Sequence, residues 1–487
     1  MADGDEDKIR QERLARLAAI RAKYANSNAK PATGENENQN QNQNHSRKRP
    51  RPSTAASSST SIQSTNGSTS MEFAQRGEKR SNLTPAPKSK NKAVDMFAMS
   101  DSSDDDEKNS YSNANGNHPG TDTEKRLETN ANQGLDEQDV DDAEGYYLAR
   151  PGELLDGKYR SRGNVGRGVF SSVLFCDIEE GESTGKTVAI KVIRNNPTMH
   201  RAGEKELQIL EKVKSVPNIV QVLGSFEHRK HLCLVFERMK MNLRQVLYQY
   251  GKNIGINMEG VRTYGKQLFG ALNHLKSLGI VHADFKLDNI LVSAKLGQVK
   301  ICDFGSAFYE DDPANAPTPY LVSRFYRAPE IILGLKYDPA VDTWALATCL
   351  FELYAGNVMF PGATNNEMLD MIMQCKGRFP NRLLRKHIIS YQILHKQPHF
   401  DPETFKFRRF QTDVMTNDII MKLLTVKDSP TKTISSLLMN ASNGMSAKSE
   451  VRVRQLAQLL EHTLVLDPSK RASPAQALQS PFFNDNM

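Results

Sequence analysis

From position 282 the chain runs His282-Ala283-Asp284-Phe285-Lys286-Leu287-Asp288-Asn289, between apolar Ile280-Val281 and Ile290-Leu291. Asp284, Lys286 and Asn289 can act on a proton or a charge, and their apolar neighbours imply a loop that emerges from a buried scaffold. Upstream, Val261, Tyr264, Leu268, Leu272 and Leu275 fall on one face of a long helix, which Gly279 closes. Downstream, Asp303-Phe304-Gly305 adds a further carboxylate.

Further upstream, Gly166-Arg167-Gly168-Val169-Phe170-Ser171-Ser172-Val173 follows a G-x-G-x-x-G-x-V pattern, with Ser171 in place of the third glycine. Glycines let backbone N–H groups approach a phosphate with no Cβ in the way. Alone the pattern is weak, because an ordinary glycine-containing hairpin also fits it. Val188-Ala189-Ile190-Lys191 then reads as a strand ending in a cation suited to the α- and β-phosphates of a nucleotide. Its partner is expected on the helix Lys205-Glu206-Leu207-Gln208-Ile209-Leu210, with Leu207 and Leu210 toward the sheet. Glu206 is preferred over Glu204 because it stands one residue before the first apolar contact. An unpaired surface glutamate is the alternative.

With a nucleotide placed between these segments, each polar group of the 282–289 loop has a task. Asp284 orients a hydroxyl and accepts its proton, and Lys286 neutralises charge developing on a transferring phosphoryl group. Asn289 and Asp303 offer the hard oxygen ligands that Mg²⁺ prefers. Phosphoryl transfer asks mainly for positioning and charge stabilisation, which this set supplies.

The remaining composition separates a tail from a domain. Among residues 1–145 the aromatics are Tyr24, Phe73, Phe97 and Tyr111, interspersed with runs such as 35–44 and 53–70 that are nearly devoid of apolar side chains. Such a stretch buries too little apolar surface to offset ordering and reads as a disordered, low-complexity tail. It is basic and then acidic: residues 1–100 carry 17 Lys/Arg against 10 Asp/Glu, and residues 101–150 carry 4 against 14. The blocks suit electrostatic contact with a partner or with the chain's own domain, or simple solvation.

Residues 7–24 fit a short basic amphipathic helix, either seated on a partner or fraying. Arg47-Lys48-Arg49-Pro50-Arg51 has the composition of a nuclear localisation signal, or of a solvated basic patch. Aromatics for stacking on single strands are not interleaved with the basic residues, so direct nucleic-acid binding is not expected of the folded part. The five cysteines, Cys176, Cys233, Cys302, Cys349 and Cys375, form no C-x-x-C pair, which suits a reducing compartment. No apolar run approaches the roughly 18 residues of a membrane span. A soluble, intracellular monomer is expected.

With Ala328-Pro329-Glu330, Asp342-Thr343-Trp344 and Asp467-Pro468-Ser469-Lys470-Arg471 added, the order of motifs resembles a eukaryotic protein kinase over residues 159–483. The resemblance implies an α+β, bilobal fold: a small, mainly β lobe with one regulatory helix and a larger, mainly α lobe, preceded by the tail. It implies ATP and Mg²⁺ as cofactors, and Lys286 two residues after Asp284 is the mark of kinases that act on serine and threonine. Carried over residue by residue, Phe236 looks like the gatekeeper behind the adenine, Glu237 and Met239 like the hinge, and Val165, Val173, Ala189 and Leu291 like the apolar walls. Gly166, Arg167, Gly168, Val169 and Phe170 would form the loop over the phosphates, and Glu330 would pair with Arg471.

The run Thr318 to Glu330 resembles the branch holding cyclin-dependent, MAP and dual-specificity tyrosine-regulated kinases, the CMGC group. His282-Ala283-Asp284, Val188 to Asn196, His231 to Glu237 and Pro319 to Glu330 are together similar to the pre-mRNA-processing factor four kinases. That likeness implies a nuclear role in splicing, with splicing factors and small nuclear ribonucleoprotein components as partners. Ala283 replaces an arginine that usually clamps a phosphate on the activation segment. A phosphate on Tyr320, placed there by autophosphorylation, would instead meet Arg324 and Arg327. A catalytically silent scaffold for splicing complexes is the alternative, but such a scaffold has no chemical need for Lys191, Glu206, Asp284, Asn289 and Asp303 together. Between Asn357 and Gln455 the chain is longer than a minimal large lobe needs, and 405–448 reads as a docking surface or a loop.

Overall fold

The computed structural model describes residues 141–484 apart from 169, 253, 313–316, 413–418 and 442–446. The tail through residue 140, with its expected helix over 7–24 and its basic cluster at 47–51, lies outside the described residues, as does Val169.

The small lobe is a six-stranded sheet in the order β1-β2-β3-β4-β6-β5: β1 Leu154–Leu155, β2 Tyr159–Arg167, β3 Ser171–Ile178, β4 Thr187–Ile193, β5 Val222–His228 and β6 His231–Glu237. Alternation sets its faces. Leu174 and Cys176 of β3, Val188, Ile190 and Val192 of β4, and Cys233 and Val235 of β6 join in one buried cluster. Because successive strand side chains point to opposite faces, Lys191, between Ile190 and Val192, is directed away from that cluster.

Helix α1, Pro197–Lys212, starts where Asn196 accepts hydrogen bonds from the N–H groups of Thr198 and Met199, with Pro197 at the first helical position. A Cβ on Gly203 would come within 3.0 Å of Ile193 and 3.1 Å of Leu232, so the helix lies directly on the sheet. Ile209 and Leu210 are buried, and Leu207 is half-buried. Residues 141–158 precede the boundary expected at 159 and pack on this lobe, Tyr147 being 2% exposed.

The large lobe is mainly helical. Its helices are α2 Leu243–Gln249, α3 Met258–Ser277, α4 Pro329–Ile332, α5 Ala340–Ala355, α6 Asn365–Lys376, α7 Asn381–Ile393, α8 Ile434–Asn440, α9 Ala447–Thr463 and α10 Pro474–Leu478. The expected face of α3, Val261, Tyr264, Leu268, Leu272 and Leu275, is buried throughout, and Gly279 follows it at φ +65°. Helix α5 is buried from Val341 to Tyr354, with Trp344 completely enclosed, and it is the pillar of the lobe.

Short strands complete the cleft side: β7 Met241–Asn242, β8 Ile280–Val281, β9 Ile290–Val292, β10 Val299–Ile301 and β11 Phe308–Tyr309. In the long stretch after Asn357, β12 Phe407–Thr412 and β13 Ile419–Leu424 form a hairpin. Phe407 of this hairpin, together with Phe400, Ile434 and Leu438, is buried in the core cluster of the large lobe, so this part of the extra length is packed onto the lobe.

Candidate active site

Register carries Lys191 of β4 to Glu206 of α1. The ammonium lies 2.7 and 2.9 Å from the two carboxylate oxygens of Glu206 and 2.8 Å from Oδ1 of Asp303. Burial works against the Lys191 cation, but Asp303 and Glu206 outweigh it and its pKa is raised. The Lys191 charge in turn holds the Asp303 carboxyl down at about 2. Glu204 is exposed and faces His200 instead. Gly305 borders this triad: a Cβ there would stand 3.4 Å from Asp303 Oδ1 and 3.5 Å from Glu206 Oε2, in ordinary van der Waals contact.

The 282–289 loop is fastened from below by Asp342 of α5, a contact that the motif Asp342-Thr343-Trp344 did not reveal. Its carboxylate accepts the N–H of His282 at 2.7 Å and of Ala283 at 2.9 Å. Ala283 sits at φ +62°, a left-handed conformation that costs a residue with a Cβ on the order of 1 kcal/mol, so the paired hydrogen bonds hold the loop in a shape it would not keep alone. The His282 ring packs edge-on to Phe304 at 4.9 Å and reaches the Cys302 carbonyl at 3.0 Å, which locks the loop to Asp303-Phe304-Gly305. Burial pushes the Cys302 thiol up, far from the range of a nucleophile.

Asp284, Lys286 and Asn289 converge above this fastening. Asp284 Oδ2 lies 2.9 Å from Lys286 Nζ and accepts Asn289 Nδ2 at 2.8 Å. Asp284 Oδ1 accepts the Ser323 hydroxyl at 2.9 Å, and Lys286 Nζ reaches the same Ser323 Oγ at 3.3 Å. Ser323 was missed in the sequence, where a serine just before Arg324 carries no chemical signal.

The residues expected on the adenine side come from the adjoining strands β2, β3, β4 and β6, the connection after β6, and β9. Ala189 of β4 registers with Phe236 of β6, and Val173 of β3 with Lys191. Val165 is exposed, whereas Val173, Ala189, Phe236, Met239 and Leu291 are half-buried. The Glu237 carboxylate is taken by Lys300 at 2.6 and 2.8 Å and by the Gln221 N–H, so that side chain braces the connection between the lobes. Gly166, Arg167 and Gly168 are exposed, Phe170 is half-buried, and a Cβ on Gly166 would meet nothing within 4 Å.

Two features test the fit to a nucleotide and Mg²⁺. The Asp303 carboxylate already holds a cation, the Lys191 ammonium, and one carboxylate with one amide oxygen is the small protein ligand set that Mg²⁺ takes when phosphates fill its other positions. The amide nitrogen of Asn289 is committed to Asp284, and its oxygen is the atom left to offer. The residues fit the group.

Arg327 is buried and donates to the carbonyls of Leu321 and Val322 and to Asn365, with its guanidinium 6.0 Å from the centre of the Tyr320 ring. Arg324 donates to the Ala363 carbonyl. Lys396, from the turn after α7, donates to the Tyr320 hydroxyl at 3.0 Å. Glu330 and Arg471 pair as expected, through two bonds of 2.6 and 2.8 Å.

A lysine held by a glutamate and an aspartate, with a second aspartate beside a lysine and an asparagine, is the arrangement of groups that phosphoryl transfer from ATP asks for. The chain belongs to the protein kinase domain family, which matches residues 159–483. Its likeness is to serine/threonine kinases. It is 41% identical to the serine/threonine-protein kinase prp4 of Schizosaccharomyces pombe over 367 residues, which cover 74% of this chain and 74% of that protein. It is 40% identical to the serine/threonine-protein kinase prpf4B of Dictyostelium discoideum over 397 residues, 80% of this chain and 47% of that one. Homeodomain-interacting protein kinase 1 of Rattus norvegicus is 31% identical over 330 residues, 65% of this chain and 27% of the other.

Proposed function

We propose that this chain transfers the γ-phosphate of ATP to serine and threonine hydroxyls of proteins, as a non-specific serine/threonine protein kinase. The observation that carries the reading is the closed triad Lys191–Glu206–Asp303 beside the Asp284–Lys286–Asn289 cluster. Asp284 orients the acceptor hydroxyl and takes its proton. Lys286 offsets charge on the transferring group, and Glu206 holds Lys191 where the α- and β-phosphates would lie. Asn289 and Asp303 would hold Mg²⁺, which supplies charge neutralisation between the phosphates.

Residues 165–168, Phe170, Val173, Ala189, Phe236, the hinge main chain at 237 and 239, and Leu291 would bind the rest of ATP. Full-length protein given γ-labelled ATP, Mg²⁺ and a protein substrate should yield labelled phosphoserine and phosphothreonine. Label in neither, with ATP still bound, would make the chain the scaffold rather than the enzyme.

The substrates proposed are splicing factors and small nuclear ribonucleoprotein components, in the nucleus. This rests on the likeness to the two prp4-type kinases and on the basic cluster at 47–51. Tyr320 is proposed as a site of autophosphorylation. A phosphate on its hydroxyl would add charge-assisted bonds to Lys396 and draw on Arg324 and Arg327. Tyr320→Phe should therefore lower turnover about tenfold, and Lys396→Ala should lower it in the same direction by less. Phosphopeptide mapping that finds Tyr320 unmodified in active protein would remove the idea.

A further inference from the structure

Residues 141–147, ahead of the domain boundary expected from the motifs, are laid across the root of the glycine loop. Tyr146 is 7% exposed and donates its hydroxyl proton to the Gly168 carbonyl at 2.8 Å. Two guanidinium groups face its ring, Arg167 at 3.8 Å and Arg194 at 4.4 Å from the ring centre. Acidic side chains balance Arg167, Asp142 and Glu144 standing 2.9 and 2.6 Å from it, and Arg194 Nε donates to the main-chain carbonyl of Glu144 at 2.9 Å. Asp142 also accepts the N–H of Glu144 and of Tyr146, which shapes the turn that presents the ring.

The far end of the segment is fixed independently. Buried His231 lies 2.7 Å from both the Ile193 carbonyl and the Asp141 carboxylate, and the Asn195 N–H donates to Gly145. The glycine loop is thus tied to a segment anchored on β4 and β6, at Gly168 through the Tyr146 hydroxyl and at Arg167 through Asp142 and Glu144.

We propose that Tyr146 is a positioning residue for nucleotide binding, holding the turn Arg167–Gly168 in this one conformation before ATP arrives. This deepens the reading of 166–173 as the phosphate loop and rests on it. Glycine-rich backbone loses more conformational freedom on ordering than any other, so a tether that orders it in the free protein removes part of that cost from binding. The Gly168 N–H already donates to the Ser171 carbonyl at 2.8 Å, and the bond from Tyr146 fixes the outer side of the same residue.

The test uses the full-length chain. Tyr146→Phe keeps the ring between the guanidinium groups and removes the hydroxyl. In nucleotide-free protein the amides of Gly166, Gly168 and Ser171 should exchange about fivefold faster, with β6 unchanged, and KM for ATP should rise about fivefold at nearly constant kcat, the factor one net hydrogen bond is worth. Tyr147→Phe is the control, because its hydroxyl meets Glu153 and His228 instead, and it should alter neither quantity. Unchanged exchange in Tyr146→Phe overturns the proposal, as does equal acceleration in both variants or faster exchange with an unmoved KM. A wild-type chain that does not turn ATP over would sink the reading of the loop instead, and the exchange comparison would still decide whether the tether exists.

Discussion

Asp284→Asn should lower kcat about a thousandfold while KM for ATP moves little, which steady-state assay of the purified full-length chain would read directly. The substitution keeps the shape of the side chain, and the backbone of the loop is held by Asp342 at His282 and Ala283, two and one residues before the change. What it removes is a proton acceptor. The new amide can keep an oxygen toward Ser323, but its NH₂ group then faces two donors, Lys286 Nζ and Asn289 Nδ2, that now point at Asp284 Oδ2. Both effects act on the acceptor side of the reaction, whereas Lys191, Glu206 and the glycine loop are untouched. Variant and wild type with equal kcat would mean that Asp284 does not take the hydroxyl proton.

The parts of this site that were legible in the sequence are those whose signal is local. The loop 282–289 announces itself through alternating polar and apolar residues, helix α3 through its 3.6-residue period, and Glu206 over Glu204 through one position relative to Leu207. Each needs only neighbours in the chain. Asp342, Ser323, Lys396 and Tyr146 were not read because their roles exist only across folded distances: Ser323 meets Asp284, Lys396 meets Tyr320, and Tyr146 meets Gly168.

A lone serine or lysine has no period and no motif to mark it. Nor does the sequence show that Arg327 is buried, because a guanidinium with several donors also serves the backbone carbonyls of its own turn. The hairpin β12–β13 was hidden by its composition. Ile419, Ile420, Met421 and Leu423 are all exposed, so its second strand has no alternating face to read.

Arg471→Ala should cost about 3–5 kcal/mol of stability, the largest loss expected of any single change away from the cleft. Both side chains of the Glu330–Arg471 pair are completely buried, joined by two parallel bonds, and Arg471 also donates to the carbonyls of Ala340 at 2.8 Å and Val465 at 3.1 Å with its guanidinium 5.1 Å from the Trp344 ring. Removing the cation strands the Glu330 carboxylate where no water replaces its partner, and that penalty, not the lost attraction, dominates. The double variant Glu330→Leu/Arg471→Met tests the distinction, because an apolar pair of similar volume leaves no buried charge. If the desolvation penalty dominates, it should melt well above Arg471→Ala and close to wild type; a double variant as unstable as the single would show instead that the bonds to Ala340 and Val465 carry the stability. Because Glu330 follows directly on the segment that places Ser323 against Asp284, the single variant should also lose turnover at temperatures below its melting point, and the double variant should recover the stability before it recovers the rate.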